Sequence, residues 1–236
     1  MKTLIAGSNG MVGSAMTRRS MVGKILLVCG ILSSLLYVGS DILAAMLWEG
    51  YSYTGQTVSE LRAIGAPTRP LLVPVLAVYT VLEIAFGVGV WGSAGRKRAL
   101  RVLGGLLIGL AVVDLVAPFF PMQLRGTEFA FTDAMHIILS IVTVLLLLLI
   151  IGVGATAFGK RFRLYSIMTI LVLVVFGVLT GLAGPRVAAD LPTPWVGIYE
   201  RINIYSYMLW VLVLAIVLLR AQVEWPQDGF GGRRNP

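Results

Sequence analysis

Six apolar runs divide this chain almost from end to end, over residues 24–48, 71–91, 102–120, 134–158, 164–184 and 202–219. Each is close to the ~20 residues that a helix rising ~1.5 Å per residue needs to cross ~30 Å of hydrocarbon. Lipid offers no partner to backbone N–H and C=O groups, so runs of this kind span as helices. The rest of the composition agrees. Hydrophobic residues make up 58% of the chain and charged residues only 13%, and mean hydropathy is +0.90. Soluble domains lie far from these values. The expected fold is all-α: a polytopic membrane protein built as a six-transmembrane-helix bundle. A membrane domain over 24–220 lies between a flexible tail over 1–23 and a second tail over 221–236, and the bilayer is its first partner.

Charge sets the expected orientation. Arg96, Lys97, Arg98 and Arg101 follow the second run, and Lys160, Arg161 and Arg163 follow the fourth. With the two termini, that side holds fourteen of the 19 basic side chains, against five on the other. Positively charged flanks stay cytoplasmic, so both termini are placed inside, N-in and C-in. The net charge of +8 then reads as a topology signal with an attraction to anionic headgroups. Nucleic acid is not an expected partner, because the basic residues are divided among four short segments. The single cysteine, Cys29, lies in the first apolar run. It reads as a small buried hydrophobe, and no histidine–cysteine spacing offers a metal site. No cofactor is expected.

Residues 1–19, MKTLIAGSNGMVGSAMTRR, place Gly7, Gly10 and Gly13 after a short apolar stretch, Thr3–Ala6. This resembles the glycine-rich opening of extended short-chain dehydrogenases and epimerases, in which a strand leads into a pyrophosphate-binding turn. The resemblance ends where the first apolar run begins. A dinucleotide fold needs further strands and an acidic ribose partner, so the motif is read as non-functional here. Met21 is an alternative start.

The connections are more specific. Thr57 and Glu60 have the T-x-x-E spacing of a capping box, and Gly65 and Pro67 supply a stop. They predict a short interfacial helix near 58–64, with Leu61 and Ile64 towards the membrane. GYSYTGQTVSELRAIGAPTRPL (Gly50–Leu71), Asp133-x-x-His136 and TPWVGIYERINIYSYMLW (Thr193–Trp210) together resemble the prokaryotic membrane family filed as domain of unknown function 998, over about 24–220. The resemblance implies a multi-helix protein of a prokaryotic inner membrane. It brings no substrate and no catalytic residue.

Four ionisable residues lie inside the apolar runs: Asp41, Glu83, Asp114 and His136. A charge at a helix centre carries an insertion penalty of roughly +2.5 to +3.5 kcal/mol, so such residues usually face a partner or a cavity. By helical rise, Asp41 and Asp114 lie about 10 and 9 Å below the outer surface. His136 sits just above them, and Glu83 stands apart nearer the midplane. Helical spacing extends each acid into a stripe. The stripes are Ser34, Tyr37 and Asp41; Tyr79 and Glu83; His136, Ser140 and Thr143; and Glu200, Asn203, Tyr207 and Trp210. Gly105-x-x-x-Gly109 and Gly177-x-x-x-Gly181 are small-residue pairs suited to close helix packing.

The expected site is thus an outward-facing polar pocket. Its candidate ligand-binding or proton-relay residues are Asp41, Glu83, Asp114, His136, Tyr37, Ser140, Glu200 and Arg201. For Glu200 and Arg201, near the surface, structural ion pairing weighs at least as much. Binding or transport of a small solute or lipid ranks first, since hydrocarbon penalises the charged form of a buried acid and so links binding to protonation. An accessory or sensor subunit with a structural polar core ranks second. A metal-free enzyme acting on an outer-leaflet lipid ranks third, with Ser34 or Ser140 as its nucleophile.

Overall fold

The computed structural model describes residues 3–224, with side chains over 21–221. Six long helices run through it: α1 (Thr3–Leu47), α2 (Arg69–Gly92), α3 (Arg98–Val116), α4 (Phe131–Ala157), α5 (Lys160–Ala188) and α6 (Val196–Glu224). Each contains a stretch long and apolar enough to cross a membrane. No strand occurs among the described residues, whose one β feature is an isolated bridge between Ile64 and Gln123.

The six spans fall where the apolar runs predict, with one informative difference. α6 begins at Val196 rather than 202, because Glu200 and Arg201 are carried inside the helix on a protected face. At the N-terminus α1 is helical from Thr3, so the strand-and-turn opening of a dehydrogenase is not present. The side-chain environment of the tail over 1–20, and residues 225–236 of the C-terminal tail, lie outside the described residues.

Each helix packs on its neighbours in sequence, and α6 closes the ring against α1. The interior is filled by large side chains with no exposure, among them Leu27, Phe86, Leu103, Leu107, Ile150, Leu173, Trp210 and Leu214. Two glycines make room for the largest. A Cβ on Gly30 would lie 2.5 Å from the Phe86 ring, and one on Gly154 would lie 2.5 Å from Trp210. Between helices, the closest backbone approach joins α2 to α3. A Cβ on Gly104 would meet the Trp91 nitrogen at 2.7 Å and the Gly87 carbonyl at 2.9 Å. Of the predicted packing pairs, one glycine in each meets a neighbouring helix: a Cβ on Gly105 would lie 3.2 Å from the Trp91 ring and one on Gly177 3.0 Å from Asn203 Nδ2, whereas Gly109 and Gly181 face open space.

The connections 48–68, 117–130 and 189–195 meet at one end of the bundle, called the loop end below. Backbone bonds tie them together, with Gly197 N–H on the Thr54 carbonyl at 2.8 Å and Ile64 N–H on the Met122 carbonyl at 2.9 Å. The predicted helix in the first connection is a single 3-10 turn, Ser59–Arg62, stopped before Gly65 at φ +87°. Leu61 does not face the membrane. It is fully buried against Ala44 and Leu72, whereas Ile64 is exposed.

Candidate functional site

Two clamps hold the loop end. The first is built on the capping box that the sequence predicts. Thr57 N–H donates to Glu60 Oε2 at 2.6 Å, and Glu60 N–H donates back to Thr57 Oγ1 at 3.2 Å. Glu60, with no exposure, also takes Arg125 Nη2–H at 2.8 Å. Arg125 spends its remaining donors on Thr193 Oγ1 and the Gly55 carbonyl, at 2.9 and 2.8 Å. One arginine from the third connection thereby ties the first to the fifth. Burial pushes the Glu60 carboxyl up, but the Arg125 and Thr57 bonds outweigh it and hold it below its ordinary range. The Glu60 bond in turn raises Arg125.

The second clamp joins α1 to α6. Arg201 holds Asp41 two-pronged, Nε–Oδ2 at 3.0 Å and Nη2–Oδ1 at 3.1 Å, and both side chains are almost fully buried. Its other hydrogens go to the Tyr53 carbonyl at 2.7 Å, the Gly197 carbonyl at 3.3 Å and the Tyr51 hydroxyl at 2.9 Å. The Tyr53 ring lies 3.6 Å from the guanidinium carbon, a cation–π contact. Tyr205 donates its hydroxyl to Asp41. Burial raises the Tyr51 phenol, against a lowering contribution from Arg201, so it stays a neutral donor to the Thr57 carbonyl at 2.7 Å. Glu200, one residue before Arg201, accepts from Val58 N–H at 2.5 Å and Ser59 Oγ at 3.1 Å. Arg201, at the loop end of α6, is only 3% exposed and is fully engaged as an ion-pair partner.

A different cluster lies deeper. Glu83 does not stand apart: its carboxyl lies against that of Asp114, with Tyr79 beside it. Neither Glu83 oxygen receives a hydrogen bond of ordinary geometry, and Tyr207, 3% exposed, also leaves its hydroxyl without a partner. Tyr37 packs its ring edge on Tyr79 at 5.2 Å between centroids. Between the two levels, Tyr37, Ser40, Asp41 and Arg62 border a void of about 10 Å³. That is about the space of one water.

The expected convergence of Asp41, Asp114 and His136 therefore splits. Asp41 belongs to the Arg201 clamp and Asp114 to Glu83. His136 lies against the Phe120 carbonyl, within electrostatic reach of Arg62. Its neighbour Asp133 does not pair with it but holds the start of α4, taking Ala130 N–H at 2.8 Å and Gln123 N–H at 2.7 Å. Ser34 and Ser140 each donate to the carbonyl one turn back in their own helix, Gly30 at 2.9 Å and His136 at 2.8 Å. The stripe on α6 does face inward, with Asn203 on the Leu173 carbonyl at 3.2 Å and Trp210 on Ser166 at 3.0 Å. Among the described residues no group of three or more histidine, cysteine or acidic side chains could hold a metal ion.

Sequence reasoning missed Arg62, Arg125, Tyr53 and Tyr205. A charge balance could have found the first two, because acids placed in lipid call for cations at the same depth.

On the outside of the second clamp runs a groove of about 390 Å³. Ile198, Ile202, Tyr205 and Leu209 line it from one face of α6, and Tyr53, Arg201 and Ser206 complete it. Its lining interleaves the polar ends of Tyr53, Arg201, Tyr205 and Ser206 with the aliphatic side chains of Ile198, Ile202 and Leu209.

A family model described as "Protein of unknown function (DUF998)" matches residues 31–217, and the chain belongs to that family. Neither the curated proteins nor the solved structures yield a match.

Proposed function

We propose that this member of the family is a binding protein of a prokaryotic cell membrane, taking a lipid-like amphiphile into the groove on α6. The excess of basic residues on the opposite side supports an orientation with both termini inside and the loop end in the outer leaflet. The observation that carries the reading is the groove itself. Its volume falls in the range of ligand sites, roughly 300–1,000 Å³, and it sets phenol hydroxyls beside aliphatic side chains, of which Leu209 is exposed.

Counting protons narrows the head group. The Tyr205 hydroxyl has one hydrogen and gives it to Asp41. In the 3.1 Å contact between the two phenols, Tyr53 is therefore the donor. Tyr53 is then left with acceptor lone pairs only, and all five Arg201 N–H donors are already engaged. Such a site favours a head group that donates hydrogen bonds, an amine or hydroxyl, over a bare anion.

Native mass spectrometry of the detergent-purified protein tests this with two phospholipids. Phosphatidylethanolamine should be retained over phosphatidylcholine, whose head group has no hydrogen to donate. Tyr53→Phe should equalise the two, since its ring and carbonyl still hold Arg201. Leu209→Trp should fill the groove and reduce both. Equal retention by the wild type overturns the reading. A second reading, an accessory subunit with a structural polar core, is favoured by one observation: both clamps are saturated by the protein's own groups.

A further inference from the structure

Four charged residues are buried to 3% exposure or less among the described residues: Asp41, Glu60, Glu83 and Arg201. Three of them are paired and saturated with hydrogen bonds. Glu83 meets no cation and no N–H donor, only a second carboxyl and phenols. We propose that Glu83 and Asp114 hold one proton between them and form a proton-binding site that loads from the loop end.

Two carboxylates in contact repel strongly in a low dielectric, and neither has a hydrogen to offer the other. Their contact becomes a hydrogen bond only with a proton between them. The lining suits that proton. Tyr207 brings from α6 a buried hydroxyl with no partner of its own, within electrostatic reach of both acids. Tyr79 from α2 and Tyr37 from α1 complete the ring of phenols, and Arg62 acts on Asp114 from the loop side. From α4, His136 lies on the Arg62 side of the cluster. Phenols in this position exchange hydrogen bonds with either protonation state of the pair, since each hydroxyl can donate or accept.

Access is one-sided. On the loop side, the water-sized void touches Tyr37 and Arg62, both within electrostatic reach of Asp114. On the other side, Phe86, Val90, Leu103 and Leu107 are fully buried and fill the bundle. The void and the Tyr37 side chain that borders it thus mark the side from which a proton reaches the acid pair, while the opposite face is sealed by hydrocarbon.

Infrared difference spectroscopy of the full chain in phosphatidylglycerol-containing liposomes reads the proton directly. The wild type should show a protonated-carboxyl C=O band at neutral pH. Glu83→Gln should remove or shift that band, and Asp114→Asn should shift it. Tyr207→Phe keeps the shape of the site and should shift the band through one lost hydrogen bond. On transfer to D₂O the band should move, and Ser40→Leu, which fills the void, should slow that movement. Absence of the band in the wild type overturns the proposal whether or not the variants fold. So does a band unchanged in both acid variants, and an unchanged exchange rate in Ser40→Leu overturns the access route.

Discussion

The loop end and the bundle interior bury acids by opposite means. At the loop end, Asp41 and Glu60 each receive an arginine, and each arginine finds further acceptors in loop carbonyls: Tyr53 for Arg201 and Gly55 for Arg125. Deeper in, Glu83 finds only Asp114 and phenols. The difference follows from backbone economy. Irregular loops carry carbonyls and N–H groups not consumed by a helical ladder, so they can saturate a buried charge. Within a span those groups are already bonded along the helix, and only side chains remain. The loop end is accordingly a structural lock, and the interior is where an uncommitted proton can reside.

Removing one half of the lock should have the largest effect. Arg201→Met leaves Asp41 buried without a counter-ion and should cost ~3–5 kcal/mol. Thermal unfolding in detergent would register it, and Asp41→Leu in the same chain should recover part of the loss. Next comes the α2–α3 contact. Gly104→Ala drives a Cβ into backbone at 2.7 Å and should cost ~1–3 kcal/mol by forcing the helices apart. It should disturb the Glu83–Asp114 contact while leaving hydrogen-exchange protection of residues 48–68 in place.

The Glu60 clamp should be milder and sensitive to acid. Glu60→Gln should cost ~1–3 kcal/mol through its lost charge-assisted bonds. The Glu60 carboxyl is held below its ordinary range in the fold, so its stabilisation is complete above the unfolded value of ~4.3. It is lost as pH falls through the lower, folded value. Amide protection in residues 48–68, taken relative to the intrinsic exchange rate at each pH, should therefore fall in acid in the wild type and show no such step in Glu60→Gln. The smallest effect is expected inside. Glu83→Gln substitutes an amide that donates without needing a proton, and stability should stay within ~1 kcal/mol of the wild type. If this variant costs as much as Arg201→Met, the contrast between a lock and an uncommitted interior fails.

Local features were legible in the sequence, and long-range pairings were not. Thr57 and Glu60 lie three residues apart, and their reciprocal bonds need only one turn of chain to form. The inward stripe of Asn203, Tyr207 and Trp210 follows from helical period. Of the small-residue pairs, Gly105 and Gly177 meet a neighbouring helix and Gly109 and Gly181 do not, because spacing identifies a smooth helix face but not its rotation. Gly104, one residue from the predicted Gly105, is the one that meets the α2 backbone. Arg201 appeared to end a span because a charge ordinarily does. It continues one here because Asp41, 160 positions away, neutralises it.

By itself the sequence determined six spanning helices, a capped turn in the first connection and acids that needed partners in lipid. These depend on composition and on contacts within a turn or two of chain. Tertiary structure alone decided which partner each acid received. Helical rise places Asp41 and Asp114 at similar depths, yet one meets an arginine and the other, deeper in the bundle, a glutamate. Helix rotation, the α2–α3 approach at Gly104 and the path of three loops set that outcome, and none of them is encoded in the spacing of a single helix.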